Sequence, residues 1–277
     1  MKQVITLEEL RQARAGLRGS LGFVPTMGLL HAGHLSLVDL AKRDCDSVAV
    51  SIFVNPTQFG PQEDLAAYPR DLPADLQKLE AAGVDLVWLP TPEIIYPQGF
   101  NTWVSVEGVS QPLEGAARPG HFRGVATVVA KLFNALQPHK AYFGQKDAQQ
   151  VAVIKQMTRD LDFSIEIVVG PTLRESDGLA MSSRNTYLNP NERKAATVLF
   201  RALNAAKQAY QSNERNADSL RTIMHRTIVA EPLARLQYVS CADPRTLQEL
   251  DKVEQGALLS MAVFIGKTRL IDNLVLE

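Results

Sequence analysis

Gly22-Phe23-Val24 runs into Pro25-Thr26-Met27-Gly28-Leu29-Leu30-His31-Ala32-Gly33-His34, and this stretch decides how the rest of the chain is read. A short apolar run gives way to a glycine-marked loop. Residues 34–42 then follow with helical period, Leu37, Val38, Leu40 and Ala41 supplying an apolar stripe. Strand, loop and helix in that order open a βα unit, and ligands of open parallel sheets bind beyond the carboxyl ends of the strands. A helix N-terminus also presents N–H groups and partial positive charge to a phosphate. His31 and His34 are three apart and project to one side of a helix. Gly28 and Gly33 let the backbone approach a ligand closely. Two imidazoles so placed can donate to phosphate oxygens as negative charge develops. A single histidine here would read as structural, but two of the chain's five in this setting favour chemistry.

Outward from this unit, residues 47–54, 84–89, 141–143 and 165–169 form short β-branched apolar runs. Val48-Ala49-Val50-Ser51-Ile52-Phe53-Val54 lacks alternation, as strands buried on both faces do. Between the runs, residues 71–82 (Leu72, Leu76, Leu79), 124–136 and 148–161 have helical spacing. Strands alternating with helices predict a parallel, doubly wound α/β sheet. Past residue 174 the rhythm changes. A polar stretch leads to Asn189-Pro190, a helix entry. Two long helical patterns, 191–212 and 217–230, precede strand-like runs at 236–242, 257–265 and 268–275. The predicted organisation is a catalytic domain over residues 1–175 and a smaller α+β domain over 176–277.

Composition narrows the function. Apolar residues make up 45 % and charged residues 21 % of 277, a balance that buries a core. A formal net charge of −1 disfavours nucleic acid or an anionic membrane as partner. Cys45 and Cys241 lie far apart and form no disulfide framework or metal spacing; each reads as a small buried hydrophobe. No basic and apolar leader opens the chain, and no apolar run is long enough for a membrane span, so a cytoplasmic protein is expected.

Four further segments carry polar groups at strand ends. Asn55-Pro56-Thr57-Gln58 can read the hydroxyl and carboxylate of a small acid, although turn chemistry explains Asn55-Pro56 without any ligand. Tyr68-Pro69-Arg70 reads as a turn. Arg118-Pro119-Gly120-His121-Phe122-Arg123 is either an anion cradle or a solvated basic loop. Gly144-Gln145-Lys146-Asp147 offers Lys146 to a phosphate and Asp147 to a ribose hydroxyl or Mg²⁺-bound water, with Gln149 or Gln150 facing the same site. Leu173 to Asn185 is a hydroxyl-rich loop containing Met181-Ser182-Ser183-Arg184; it reads as a linker, a closing lid, or both.

His-x-Gly-His resembles the signature of nucleotidylyl transferases and class I aminoacyl-tRNA synthetases. The longer Pro-Thr-Met-Gly-x-x-His-x-Gly-His, with the segments above in order over residues ~23 to ~190, resembles the pantothenate synthetase (pantoate–β-alanine ligase) family. The resemblance implies a Rossmann-like catalytic domain, a C-terminal lid domain and a homodimer. It implies that ATP and pantoate give pantoyl adenylate and pyrophosphate, and that β-alanine then displaces AMP. It assigns Met27, Gly28, Leu29, Leu30, His31, Ala32, Gly33 and His34 to ATP, with Gly144, Gln145, Lys146, Asp147, Leu173, Met181, Ser182, Ser183 and Arg184. Arg184 stands where the class I lysine loop has its last lysine. His34, His31 and Lys146 are the implied catalytic groups, His34 as the proton donor. Gln58, Gln150 and Asn55 are implied for pantoate and Gln58 for β-alanine; Tyr68, Arg118 and His121 are further candidates. Mg²⁺ is implied to arrive with ATP, its protein ligands unassigned. Gln145 and Ala148 depart from the family pattern, which often has Glu and an aromatic residue there. A nucleotidyltransferase releasing a dinucleotide and an ATP-binding regulatory module are the alternatives.

Overall fold

The computed structural model describes residues 1–61 and 63–277, which form two compact units. The first comprises Met1–Ser110, Arg118–Gln145 and Gln150–Pro171; the second comprises Gln111–Ala117, Lys146–Gln149 and Thr172–Glu277. The sequence puts the boundary at 175/176, whereas the last crossing between units falls at Pro171/Thr172 and two short earlier segments also join the second unit.

The first unit is built on a parallel sheet of β1 (Lys2–Val4), β2 (Leu21–Thr26), β3 (Ser47–Ile52), β4 (Leu86–Trp88), β5 (Lys140–Gly144) and β6 (Glu166–Gly170), in the order β1-β4-β3-β2-β5-β6. The chain's helices begin with α1 (Leu7–Ala15), α2 (Ala32–Asp44), α3 (Leu72–Ala81) and the single-turn α4 (Pro92–Ile95) and α5 (Glu114–Ala117). The longer α6 (His121–Leu136) and α7 (Ala148–Asp160) follow. Adjacent residues of β5 show that both faces are covered. Tyr142 joins the cluster of Leu37, Val38 and Ala41 of α2 and Leu79 of α3, while the Phe143 ring meets Phe133 of α6.

Beyond the predicted elements, β1 and α1 occupy the N-terminus. Thr6 and Glu9 close a capping box that starts α1. β1 is only three residues long and pairs with β4, more than eighty positions away.

Strand order reverses between β2 and β5, because β3 and β4 run outward on one side of β2 and β5 returns on the other. β5 pairs with β2 only at Gly22 and Phe23, then follows β6 to its end. Pro25 can therefore stand in a central strand without removing a ladder bond to β5. The carboxyl ends of β2 and β5 part, leaving the crevice in which ligands of such sheets bind.

The second unit contains α8 (Pro190–Ala195), α9 (Val198–Gln211), α10 (Ala217–Val229) and the antiparallel strands β7 (Ala234–Ala242), β8 (Ala257–Ile265) and β9 (Thr268–Leu276). Leu199, Leu203, Leu220, Met224 and Ile228 pack with Leu259, Met261 and Val263 of the central strand. The single helix predicted over 191–212 is broken at Ala196-Thr197, where the Thr197 hydroxyl donates to Lys194 O and the backbone tightens to i, i+3 bonds. Cys241 is buried as predicted, and burial pushes its thiol up to about 11. Cys45 is only half-buried. Among the described residues no helix is long and apolar enough to cross a membrane.

Candidate active site

β2 ends at Thr26, whose hydroxyl donates to Ser51 O and accepts from Gly28 N, bending the chain out of the sheet. Gly28 (φ 84°) and Leu29 (φ 45°) then both take left-handed backbone. Glycine does so without strain, while a leucine there costs on the order of 1–3 kcal/mol. Asp75 of α3, 1 % exposed, holds the turn: Leu29 N donates to Oδ2 at 2.8 Å and Leu30 N to Oδ1 at 2.7 Å. Lys78, one turn further along α3, donates to Leu30 O at 2.7 Å.

His31 is the N-cap of α2. Its Nδ1 accepts from Gly33 N at 3.1 Å, and the Nδ1 of His34 accepts from His31 N at 3.3 Å, a reciprocal capping box made by two imidazoles. An Nδ1 that accepts is unprotonated, so each neutral ring carries its proton on Nε2. The ring centroids are 4.1 Å apart, which puts the histidines side by side as their spacing predicts. The N–H groups expected to receive a phosphate at the start of α2 are a different matter. His31 N and Gly33 N are taken by the two rings, His34 N by His31 O, and Leu29 N and Leu30 N by Asp75. What the turn fixes is the pair of rings, each with its proton on Nε2.

β3 leads to a 3₁₀ turn, Pro56–Gln58, capped by Asn55. Asn55 is 1 % exposed. Its Nδ2 donates to Gln58 Oε1 and Gly124 O, and its Oδ1 accepts from the hydroxyls of Thr57 and Tyr96. Every polar atom of that side chain is committed within the protein, so it holds the turn. Among the described residues Gln58 Nε2 donates to the thioether of Met27 at 3.0 Å, a weak acceptor that yields readily to a ligand oxygen.

Arg118 forms two bonds to Glu63, at 2.7 and 2.6 Å, and donates to His121 Nε2 at 3.1 Å. With that nitrogen accepting, the His121 proton sits on Nδ1, which donates to Gln58 O at 2.8 Å. Burial pushes the Glu63 carboxyl up, but the Arg118 bonds and charge outweigh it and hold it below the usual range. Arg123 covers the Trp103 ring and Lys131 the Phe100 ring. The predicted cradle of basic residues is thus spent on the protein itself and braces the Gln58 turn. Tyr68 is likewise buried, edge-on to Phe59.

After β5, Gln145–Asp147 is a 3₁₀ turn. Within the second unit Lys146 Nζ lies 3.5 Å from Asp147 Oδ1, and the Asn273 amide donates to Lys146 O at 2.8 Å. Gln149, 5 % exposed, accepts from Glu114 N and donates to Pro112 O, which leaves Gln150, half-buried in α7, as the glutamine available to a ligand. Glu114 is paired with Arg269 at 2.7 and 2.8 Å and accepts from Tyr238.

The hydroxyl-rich loop is an ordered hairpin. Arg174 bridges Ala180, and Met181 N donates to Leu173 O. The Arg174 guanidinium is bidentate to Asp272 at 2.7 and 3.0 Å and lies over the Phe200 ring. Burial raises the Asp272 carboxyl despite that cation. Ser182 caps a 3₁₀ turn, Ser183–Tyr187, its hydroxyl accepting from Arg184 N. Ser183 is buried and Leu173 exposed.

Sequence reading missed Asp75, Glu63, Glu114 and the Arg174–Asp272 pair. Only Asp75 leaves a local sign, an acid among Leu72, Leu76 and Leu79 on the apolar stripe of α3.

Residues 2–275 match the family described as pantoate–β-alanine ligase. The pantothenate synthetase of Herpetosiphon aurantiacus is 62 % identical over 277 residues, all of both chains, and that of Roseiflexus castenholzii 61 % over the same span. The crystal structure of pantothenate synthetase from Thermus thermophilus superposes with TM-score 0.95 at 49 % identity, covering 99 % of each chain. That of pantoate–β-alanine ligase from Francisella tularensis, complexed with β-γ ATP and β-alanine, gives 0.83 at 37 % identity, covering 99 % of this chain and 97 % of that one.

Proposed function

This chain belongs to the pantoate–β-alanine ligase family, and from that membership we propose that it joins pantoate to β-alanine through a pantoyl adenylate. The carboxylate of pantoate attacks the α-phosphorus of ATP, and pyrophosphate leaves. The amine of β-alanine then attacks the acyl carbon, an amide bond forms, and AMP leaves with the bridging oxygen. The observation that carries this reading is the His31–His34 pair, both rings fixed with Nε2 protonated at the crevice between β2 and β5. Such donors match the charge that develops on phosphoryl oxygens and need no reorganisation as it forms. We assign His34 the proton-donor role, with His31 and Lys146 as further charge-stabilising groups.

Met27, Gly28, Ala32 and Gly33 would line the nucleotide, with Leu29 and Leu30 shaping the turn. Gly144, Gln145, Asp147, Leu173, Met181, Ser182, Ser183 and Arg184 are assigned to the same ligand. Gln58 and Gln150 are assigned to pantoate and Gln58 to β-alanine, while Asn55 is reassigned from substrate contact to holding Gln58. Among the described residues no group of three or more His, Cys, Asp or Glu forms a metal cage. Mg²⁺ is proposed to be carried in on phosphate oxygens, with Asp147 helping to hold it. When bound it would neutralise phosphate charge. A homodimer in the cytoplasm completes the reading.

Pantoate labelled with ¹⁸O in its carboxylate tests the chemistry. The expected result is one labelled oxygen in AMP and none in pyrophosphate; unlabelled AMP would overturn the adenylate. His34→Ala and Lys146→Ala should each slow single-turnover adenylate formation by ~10²-fold, the scale of one lost donor. Near-normal rates in both would remove the role assignment.

A further inference from the structure

We propose that Asp75 is a positioning residue for the reaction, acting through the Gly28–Leu30 turn on the two histidines. The inference rests on the assignment of that turn and its histidines to ATP. Asp75 is buried on the apolar stripe of α3, where an ionised carboxylate is tolerated only if its oxygens are satisfied. Its two oxygens take one backbone N–H each from consecutive residues, and its nearest cation is Lys78, 3.9 Å away. Lys78 in turn bonds the carbonyl of Leu30, so that residue is gripped at both its N–H and its C=O by one turn of α3.

Two features say that the grip serves the loop rather than the helix. Leu29 is a non-glycine residue at φ 45°, a conformation that persists only where surroundings impose it, and Asp75 bonds that residue's own N–H. At Gly28, a Cβ would stand 3.2 Å from Asp75 Oδ2 and 3.1 Å from Ile52 Cγ2, so a side chain there would press on the carboxylate that holds the turn. His31 and His34 fix each other through the backbone that begins one residue later. Relaxing Leu29 and Leu30 turns His31 N away from the His34 ring and unlocks both tautomers.

Asp75→Asn keeps the size of the side chain but puts an NH₂ where one N–H must be accepted. The expected result is a ~10²-fold fall in the single-turnover rate of adenylate formation, with KM for β-alanine unchanged. In the His34→Ala background the same substitution should cost less than about fivefold, because the group it positions is gone. Long-range ¹H–¹⁵N spectra of the ring nitrogens supply a readout independent of turnover: His31 and His34 are protonated at Nε2 in the parent and lose that uniform state in Asp75→Asn. If Asp75→Asn does not fold, Lys78→Met, which removes the bond to Leu30 O together with the 3.9 Å ion pair to Asp75, should shift the same two ring signals. Full additivity with His34→Ala, or unchanged ring signals, overturns the proposal. An unimpaired His34→Ala enzyme would instead refute the ATP assignment of the histidines and leave the spectral test of Asp75 standing.

Discussion

Replacing Gly124 by alanine tests whether the Gln58 turn must sit where α6 puts it. A Cβ at 124 would stand 2.4 Å from Thr57 O, 2.6 Å from Thr57 C and 2.8 Å from Gln58 N. All three atoms are backbone, so no side-chain end can swing aside. Ordinary contact begins at 3.4 Å, and the turn must retreat by 3.4 − 2.4, or about 1.0 Å. Asn55 Nδ2 bonds both Gly124 O and Gln58 Oε1 at 3.2 Å, which carries the shift to the Gln58 amide. Overpacking of this kind costs ~1–3 kcal/mol, and alanine's better helix propensity returns ~1. The net loss of stability is therefore about 0–2 kcal/mol. A misplacement of ~1 Å in a positioning group costs ~10²-fold in rate. Activity should consequently fall much further than stability. Steady-state kinetics over each substrate, alongside thermal unfolding, should give a ~10²-fold drop in kcat/KM for pantoate, little change in KM for ATP, and a midpoint lowered by at most ~8 °C. A kcat/KM within about threefold of the parent, in a cooperatively folded protein, would refute the reasoning.

The Glu63 carboxyl is held below its usual range by Arg118 against the opposing effect of burial. A lowered folded pKa means that its contribution is fully present above the unfolded value of 4.5 and is lost as pH falls through the folded one. Glu63→Gln should flatten that acid limb in urea midpoints measured between neutral pH and pH 3; parallel curves would remove the assignment. In the second unit, Arg174→Met leaves Asp272 buried beside no guanidinium and should cost ~3–5 kcal/mol in equilibrium unfolding. Asp272→Asn should cost less than Arg174→Met, because an amide does not leave a buried charge behind, and the reverse order would count against the pairing.

The parallel sheet was legible because β2, β3 and β5 are continuous apolar runs with no alternation, and the helices between them keep their periods. β1 was not, since three residues whose partner is β4 carry no local pattern. The histidine pair was legible because its chemistry and its spacing sit in one short segment. The ion pairs of the second unit were less so: Arg174 and Asp272 are 98 positions apart, Arg269 and Glu114 155, and such pairs leave no trace along the chain. The two adjacent glutamines of α7 could not be told apart by sequence. Only the bonds of Gln149 to Glu114 and Pro112 separate them. The Arg118 loop looked like an anion site because its charges are dense, but Glu63 and the Trp103 ring already occupy its two arginines.

The second unit draws on three separate stretches of chain, and this constrains how the enzyme can be cut and recombined. A hybrid joined at Pro171, with everything beyond taken from a relative, would exchange Arg269 and Tyr238 while keeping the original Glu114, and Asn273 while keeping the original Lys146 backbone. Successful grafts should therefore carry Gln111–Ala117 and Lys146–Gln149 together with Thr172–Glu277. Substitutions within these two short inserts are expected to co-vary with β9 more tightly than with their own neighbours in sequence.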